Sequence, residues 1–381
     1  MQLRRQKLAL QYVVKLKNNP RNPAYASVFQ PNFKPLFEAR PSVIPTLGLR
    51  IHQTLVDCGI ELGCIAQYSI PSSPPWLLQR PYFDYTLYSL GTKSETLPDL
   101  YLSRYRELVS SYQNYEKIFT DGSKKGSAVS AAAVTFGKVL VKRLPDHSSI
   151  FSAESKAVLL ALDIMKQSCE RRFLVVSDSL SCLKSLENRN FQNPLILEIL
   201  ETLDKLLRSG YSVTFVWVPS HIGIEGNGAA DATAKAALSL RVSKSLVPYS
   251  DFKPLVGAYT NSAWQKCWDG ETNNKLHCVQ PVIGNYRHGK LTRRDEVAIH
   301  RLRVGHSHLT HSYLLKKEQA PVCQPCNVLL TVEHMLIGCA KYISQRTKYF
   351  NNCNLLKDLF TSFSSHVILD YVKEIGIYRK L

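Results

Sequence analysis

Between residues 115 and 240 the apolar pattern alternates between a strand period and a helix period, and two of the strand-like runs stop at a carboxylate. "EKIFTD", "SAVSAAAVTFG", "KVLVKRLP", "RRFLVVSDS" and "YSVTFVWVPS" are short runs rich in Val, Phe and Ala, with a turn at Gly137 between the second and third. Helical spacing separates the later ones. Ala153, Ala157, Leu160, Ala161 and Ile164 recur after a candidate N-cap at Ser152, and "NPLILEILETLDKLLRSG" opens near proline and closes on glycine. The first three strands are close enough for an antiparallel meander, whereas the later crossovers have the length that parallel pairing requires. The expected fold is α/β: a mixed five-stranded sheet, three antiparallel strands then parallel ones, with helices on both faces and irregular and helical regions flanking it.

Four acidic residues occupy places that this pattern does not explain. Asp121 ends the first strand, Glu154 lies in the first turn of the first helix, Asp178 ends "FLVVSD", and Asp231 lies early in the helix that begins near "EGNGAAD". In an open α/β sheet the strand ends and helix starts gather along one rim, so the four can converge. Carboxylates packed together raise one another's pKa unless cations lie among them. Hard divalent ions such as Mg²⁺ take oxygen ligands, and two of them about 3.5–4 Å apart can hold both the attacking and departing oxygens of a phosphodiester displacement. On this reading Asp121 is tolerable at a strand end because a metal is its partner, and Gly122 leaves room for ligand and substrate. Taken singly, each residue has a plainer role: Asp121 as a turn former, Glu154 as a helix N-terminal charge, Asp178 as a cap, Asp231 as solvated surface.

The stretches "FTDGSK", "FSAESKAVLLAL", "LVVSDSLSCL" and "VWVPSHIGIEGNGAADATAKAA" resemble the type I ribonuclease H family in order, spacing and surroundings, over roughly residues 115 to 240. The resemblance implies that Asp121, Glu154, Asp178 and Asp231 hold two Mg²⁺ ions, with Mn²⁺ as a substitute and Asp121 bridging both. It implies that His221, in the "PSHIG" loop, assists proton traffic or product departure, the alternative being a plain loop or capping histidine. The implied reaction is hydrolysis of the RNA strand of an RNA–DNA hybrid, leaving 5′-phosphate and 3′-hydroxyl ends. Ser123, Lys124 and Asn227 are candidate substrate contacts, since the RNA strand offers a 2′-hydroxyl that small polar groups can read. The sequence departs from the family at Gly228, where many members carry an acidic residue, and it shows no basic insertion between the helices. Trp217, within a strand pattern, reads as core.

Two flanks complete the chain. Residues 1–110 begin with a helical pattern and then fill with proline and aromatics, which denies long helices or central strands and suggests a segment laid on something else. The opening helix suits packing on a neighbour, with a membrane surface as the alternative. Residues 241–381 carry most of a net charge of +18, an excess that makes RNA, DNA or their hybrid the natural partner. There Cys323, Cys326, His334 and Cys339 can place three sulfurs and a nitrogen around a structural Zn²⁺, with Cys353 as a possible substitute and unligated buried thiols as the alternative reading. The stretch "YRHGKLTRRDEVAIHRLRVGHSHLTHSYL" suits either a phosphate-contacting helix or a solvated basic face, with His306, His308 and His311 as surface or RNA-contact residues.

The whole resembles the downstream part of a non-LTR retrotransposon polyprotein of the Jockey and R1 type: a post-polymerase segment (1–110), a ribonuclease H domain (115–240) and a basic Cys-Cys-His-Cys tail (241–381). The absence of an Asp-Asp pair implies that the polymerase site lies elsewhere, and no endonuclease motif set is evident. The ten cysteines are scattered rather than dense, no apolar run reaches the length of a membrane span, and no secretion signal is evident, so an intracellular protein is expected. A catalytically silent, nucleic-acid-binding relic is the competing reading to an enzyme.

Overall fold

Phe173 and Val175 project to one face of their strand and Leu174 and Val176 to the other, and all four are fully buried, so this strand has a core on both sides. It is β5 (Arg172–Ser177) in the computed structural model, which describes residues 2–32, 34–40, 42–71, 73–284, 290–351 and 353–381. Its sheet also contains β1 (Tyr82–Asp84), β2 (Glu116–Lys125), β3 (Ala128–Val134), β4 (Val139–Leu144) and β6 (Ser212–Trp217), in the spatial order β1-β6-β5-β2-β3-β4. Strands β2, β3 and β4 form the expected antiparallel meander, while β1, β6, β5 and β2 pair in parallel.

The sheet therefore has six strands where the sequence suggested five. The extra strand comes from the proline-rich segment. It is three residues long, follows Pro81 and lies at the sheet edge, the position to which proline confines a strand. So short a run carries no alternation from which it could be read.

One face of the sheet is covered by the helices Ile150–Lys166, Leu180–Glu187 and Pro194–Arg208. The other packs against Leu87 and Tyr101, the latter on the helix Pro98–Ser110, and against Ile222 and Ile224. The segment before β1 is strapped down by polar contacts. The Gln79 N–H donates to Asp204 (2.7 Å), while Arg208 and Arg189 donate to the carbonyls of Leu77 and Leu78. The first helix, Gln2–Lys17, buries Leu10, Val13, Val14 and Leu16, in keeping with packing on a neighbour. The polar contacts tie the proline-rich segment to the sheet, and the chain forms two compact units, Met1–Ala258 and Tyr259–Leu381.

The second unit has its own core, built on Ile299, Leu302, Leu336, Phe350, Ile368 and Tyr371. Its basic stretch forms the helices Arg293–Val304 and His308–Lys316, the latter opened by a Ser307 and Thr310 capping box. The first four residues of that stretch, 286–289, lie outside the described residues. Strands β7 (Val322–Cys323) and β8 (Val328–Leu329) pair as a short hairpin. Among the described residues no helix is long and apolar enough to cross a membrane.

Leu87 is fully buried against the sheet, so Leu87→Ala is expected to cost about 2–5 kcal/mol in urea unfolding, with β2–β6 and the N-terminal segment melting in one transition. An unchanged midpoint would show that this segment is not part of the sheet's core.

Candidate functional site

Asp121 does not end its strand. The parallel pairing of β2 with β5 stops at Thr120 and Ser177, and Asp121 is the next residue, while β2 continues against β3 as far as Lys125. Asp178 is likewise the first residue beyond β5. The two carboxylates thus leave adjacent strands where their mutual ladder ends, which frees that end of the sheet to hold charge.

Glu154 reaches them from the helix Ile150–Lys166. The N-cap is Ser149, not Ser152: its hydroxyl accepts the Ser152 N–H, and the helix starts one turn earlier than the apolar spacing suggested. Glu154 is consequently in the second turn. Its helix lies so close to β2 that a Cβ on Gly122 would fall 2.7 Å from the Glu154 nitrogen and 2.8 Å from the Ala153 Cβ. The space beside Gly122 is therefore filled by the helix, which corrects the expectation that it accommodates ligand and substrate. No sequence pattern marks Asp251, which lies beyond residue 240. Its buried carboxylate accepts from the Ser149 N–H (2.9 Å), the Ser149 hydroxyl (3.0 Å) and the Ser152 hydroxyl (2.6 Å), fixing the start of the Glu154 helix.

Asp121, Glu154 and Asp178 each offer an oxygen within 4.8 Å of the others. Burial, reinforced by Asp178 and Asp231, pushes the Asp121 carboxyl up to about 7, against a partial offset from the Gly122 N–H and Lys235. Burial together with Asp121 and Asp178 holds Glu154 well above the usual carboxylate range. Asp178 is also raised by burial, and the Asn227 amide and His221 oppose that rise. Glu154 Oε2 is buried with no hydrogen-bond partner. An orphaned oxygen among three close carboxylates is the donor set of a hard cation, so the residues present fit divalent metal ions.

Asp231 stands beside this trio rather than within it. It lies on the helix Glu225–Ala237, where Lys235 pairs with it at 2.7 Å and His221 Nδ1 approaches to 3.9 Å. That helix touches β2 closely enough that a Cβ on Gly226 would strike the Phe119 ring. His221 has a left-handed backbone (φ 54°) and a side chain 69% exposed. Among the candidate substrate contacts, Lys124 is tied to the Ser148 carbonyl (2.8 Å), and Ser123 pairs with Ser130 across the meander. Asn227 is buried and donates to Asp178 Oδ2 (3.4 Å), so it positions a carboxylate. Trp217 packs against both cores and donates to the Asp178 carbonyl (3.1 Å).

In the second unit Cys323, Cys326, His334 and Cys339 come within 4.8 Å of one another. The Cys339 sulfur lies 3.7 Å from that of Cys323 and 4.0 Å from that of Cys326, close to the ~3.8 Å that tetrahedral zinc thiolates require. The Ala340 N–H donates to Cys326 Sγ and lowers that thiol's pKa, whereas burial pushes Cys339 up to about 11. His334 Nε2 is buried without a partner, so this donor set fits Zn²⁺. Cys353 lies outside the group, its thiol directed to the Leu355 carbonyl.

Sheet order and carboxylates together define a ribonuclease H-like fold bearing an acidic site. The family model described as RNase H matches residues 113–239, so this part of the chain is an RNase H domain. Over 203 residues, 51% of the chain, the sequence is 33% identical to a Pol polyprotein of equine infectious anemia virus (strain Wyoming). The Pol polyprotein of isolate 1369 is 32% identical over 202 residues. The match spans only 17% of the length of either polyprotein.

The raised Asp121 pKa sets a pH dependence. Deprotonation is uphill in the folded state, so the metal-free protein keeps this contribution to stability below the ordinary Asp range and loses it as pH rises through about 7. Mg²⁺ competes with that proton. At about 10 mM it is expected to raise Tm by several degrees at pH 8 and little at pH 5, and Asp121→Asn should remove the difference. Equal Mg²⁺ responses at both pH values would contradict the carboxylate cluster.

Proposed function

We propose that the chain hydrolyses the RNA strand of RNA–DNA hybrids by a two-metal mechanism at Asp121, Glu154 and Asp178, with Asp231 completing the ligand set. The observation that carries this reading is the buried trio with its unpartnered Glu154 oxygen. Magnesium bound there would supply Lewis acidity for the attacking and departing oxygens of the phosphodiester. The protein's own groups do the rest. Gly122 holds strand and helix close enough for Asp121 and Glu154 to act together, and its N–H favours the charged form of both carboxylates. Asn227 keeps Asp178 in place, and Lys235 holds Asp231. His221 Nδ1 sits beside Asp231 in contact with solvent, where it can hold the proton exchanged with the leaving group.

A Cys₃His group following an RNase H domain supports descent from a retroelement polyprotein of the non-LTR type. In the second unit Cys323, Cys326, His334 and Cys339 would close a structural zinc site with no position left for water.

Incubation with labelled RNA–DNA hybrid, duplex DNA and duplex RNA is expected to cut only the RNA strand of the hybrid. EDTA and Asp121→Asn should each bring cutting below detection. Hybrid binding without cleavage would leave a nucleic-acid-binding relic in place of an enzyme. Zinc measured on the purified chain is expected at about one ion per molecule and to fall towards zero in Cys323→Ser. Equal zinc in both proteins would remove the second site.

A further inference from the structure

Two adjoining cavities of about 400 and 390 Å³ open beside the first helix, Gln2–Lys17, and share Tyr12, Lys15 and Tyr249. They make one groove. Its walls come from four separate parts of the first unit: the opening helix with the turn after it, Tyr68, Gln192 in the loop before Pro194–Arg208, and Tyr249 to Val256 beyond the RNase H match. No Asp or Glu is among its lining residues.

Two of its amides are committed to the fold: Asn18 donates to the Ala66 carbonyl (2.7 Å), and Asn22 accepts the Ala24 N–H (2.9 Å). Tyr12, Lys15, Asn19 and Gln192 are exposed. Lys253 Nζ lies 5.8 Å from the Tyr249 ring centroid, which sets a cation beside an aromatic face. Tyr249 stands two residues before Asp251, the carboxylate that anchors the Glu154 helix, so the groove connects through a single short segment to the acidic site.

Aromatic faces alternating with lysines and amides, without a carboxylate, match the chemistry of unpaired nucleotides: bases stack, phosphates meet cations, and base edges find amide partners. A duplex keeps its base faces inside its own stack and offers none to Tyr12. We propose that this groove binds a short run of single-stranded nucleic acid. The inference does not depend on cleavage.

The test uses the full chain without added Mg²⁺ and without chelator, since EDTA would also strip the zinc proposed at Cys323. The single-stranded probes are not RNA–DNA hybrids, so the state of the acidic site leaves the outcome untouched. Fluorescein-labelled ten-nucleotide oligothymidylate and oligouridylate serve as probes, and their relative affinities identify the preferred sugar. Tyr12→Ala combined with Lys15→Ala is expected to weaken binding roughly tenfold, while Tyr12→Phe, which keeps the stacking face, should restore it in the presence of Lys15. Loss of Lys15 should lower the slope of log affinity against log salt by about 0.7. Photocrosslinking with 4-thiothymidine should mark peptides containing Tyr12 or Tyr249. Unchanged affinity in the double variant with crosslinks elsewhere would overturn the proposal. Equal competition by duplex DNA with no effect of Tyr12→Ala alone would also overturn it, in favour of a phosphate-only duplex contact.

Discussion

The site depends on the contact of a helix with a strand at a position that has no side chain. At Gly122 the backbone of the Glu154 helix takes the volume a Cβ would fill, and this approach brings a helix carboxylate against two strand-end carboxylates. Packing forces an unfavourable electrostatic arrangement, because apolar burial on both faces of the sheet fixes the elements and carries the charges with them. Burial, with repulsion from neighbouring carboxylates that include Asp231, then raises all three pKa values, and cations or protons relieve the strain. Asn227 and the Gly122 N–H moderate the repulsion without neutralising it.

Much of this was legible in the sequence because it rests on local patterns. Five strands and the helices between them announce themselves by periodicity, and Asp121, Glu154 and Asp178 stand out as charges that interrupt it. The misreadings have a common cause, which is that spacing reports a residue's element but not what lies across from it. Gly122 showed a missing side chain without showing that a helix fills the gap. Ser152 looked like a cap because it precedes the apolar run, yet Ser149 caps the helix and Ser152 turns to Asp251. Asp231 reaches the same rim that its helix pattern indicated, and only its pairing with Lys235 one turn later was not visible from spacing.

The segments around the RNase H match belong to the same folding unit. Tyr82–Asp84 supplies an edge strand, Leu87 and Tyr101 fill one core, and Asp251 anchors the helix that carries Glu154. Residues outside the recognisable motifs thus set the position of a residue inside them. The proline-rich run is irregular in sequence because most of its order comes from other elements: Asp204 and Arg208 bind its backbone from a helix far along the chain. No property of the segment alone could reveal that.

The central claim is that Asp121, Glu154 and Asp178 form one pocket whose repulsion divalent cations quench. Anomalous diffraction from crystals soaked in Mn²⁺ tests it directly. A manganese peak is expected within coordination distance of oxygens from all three residues. A saturating soak that leaves the pocket without a peak, or that finds Glu154 turned away from Asp121, would contradict it.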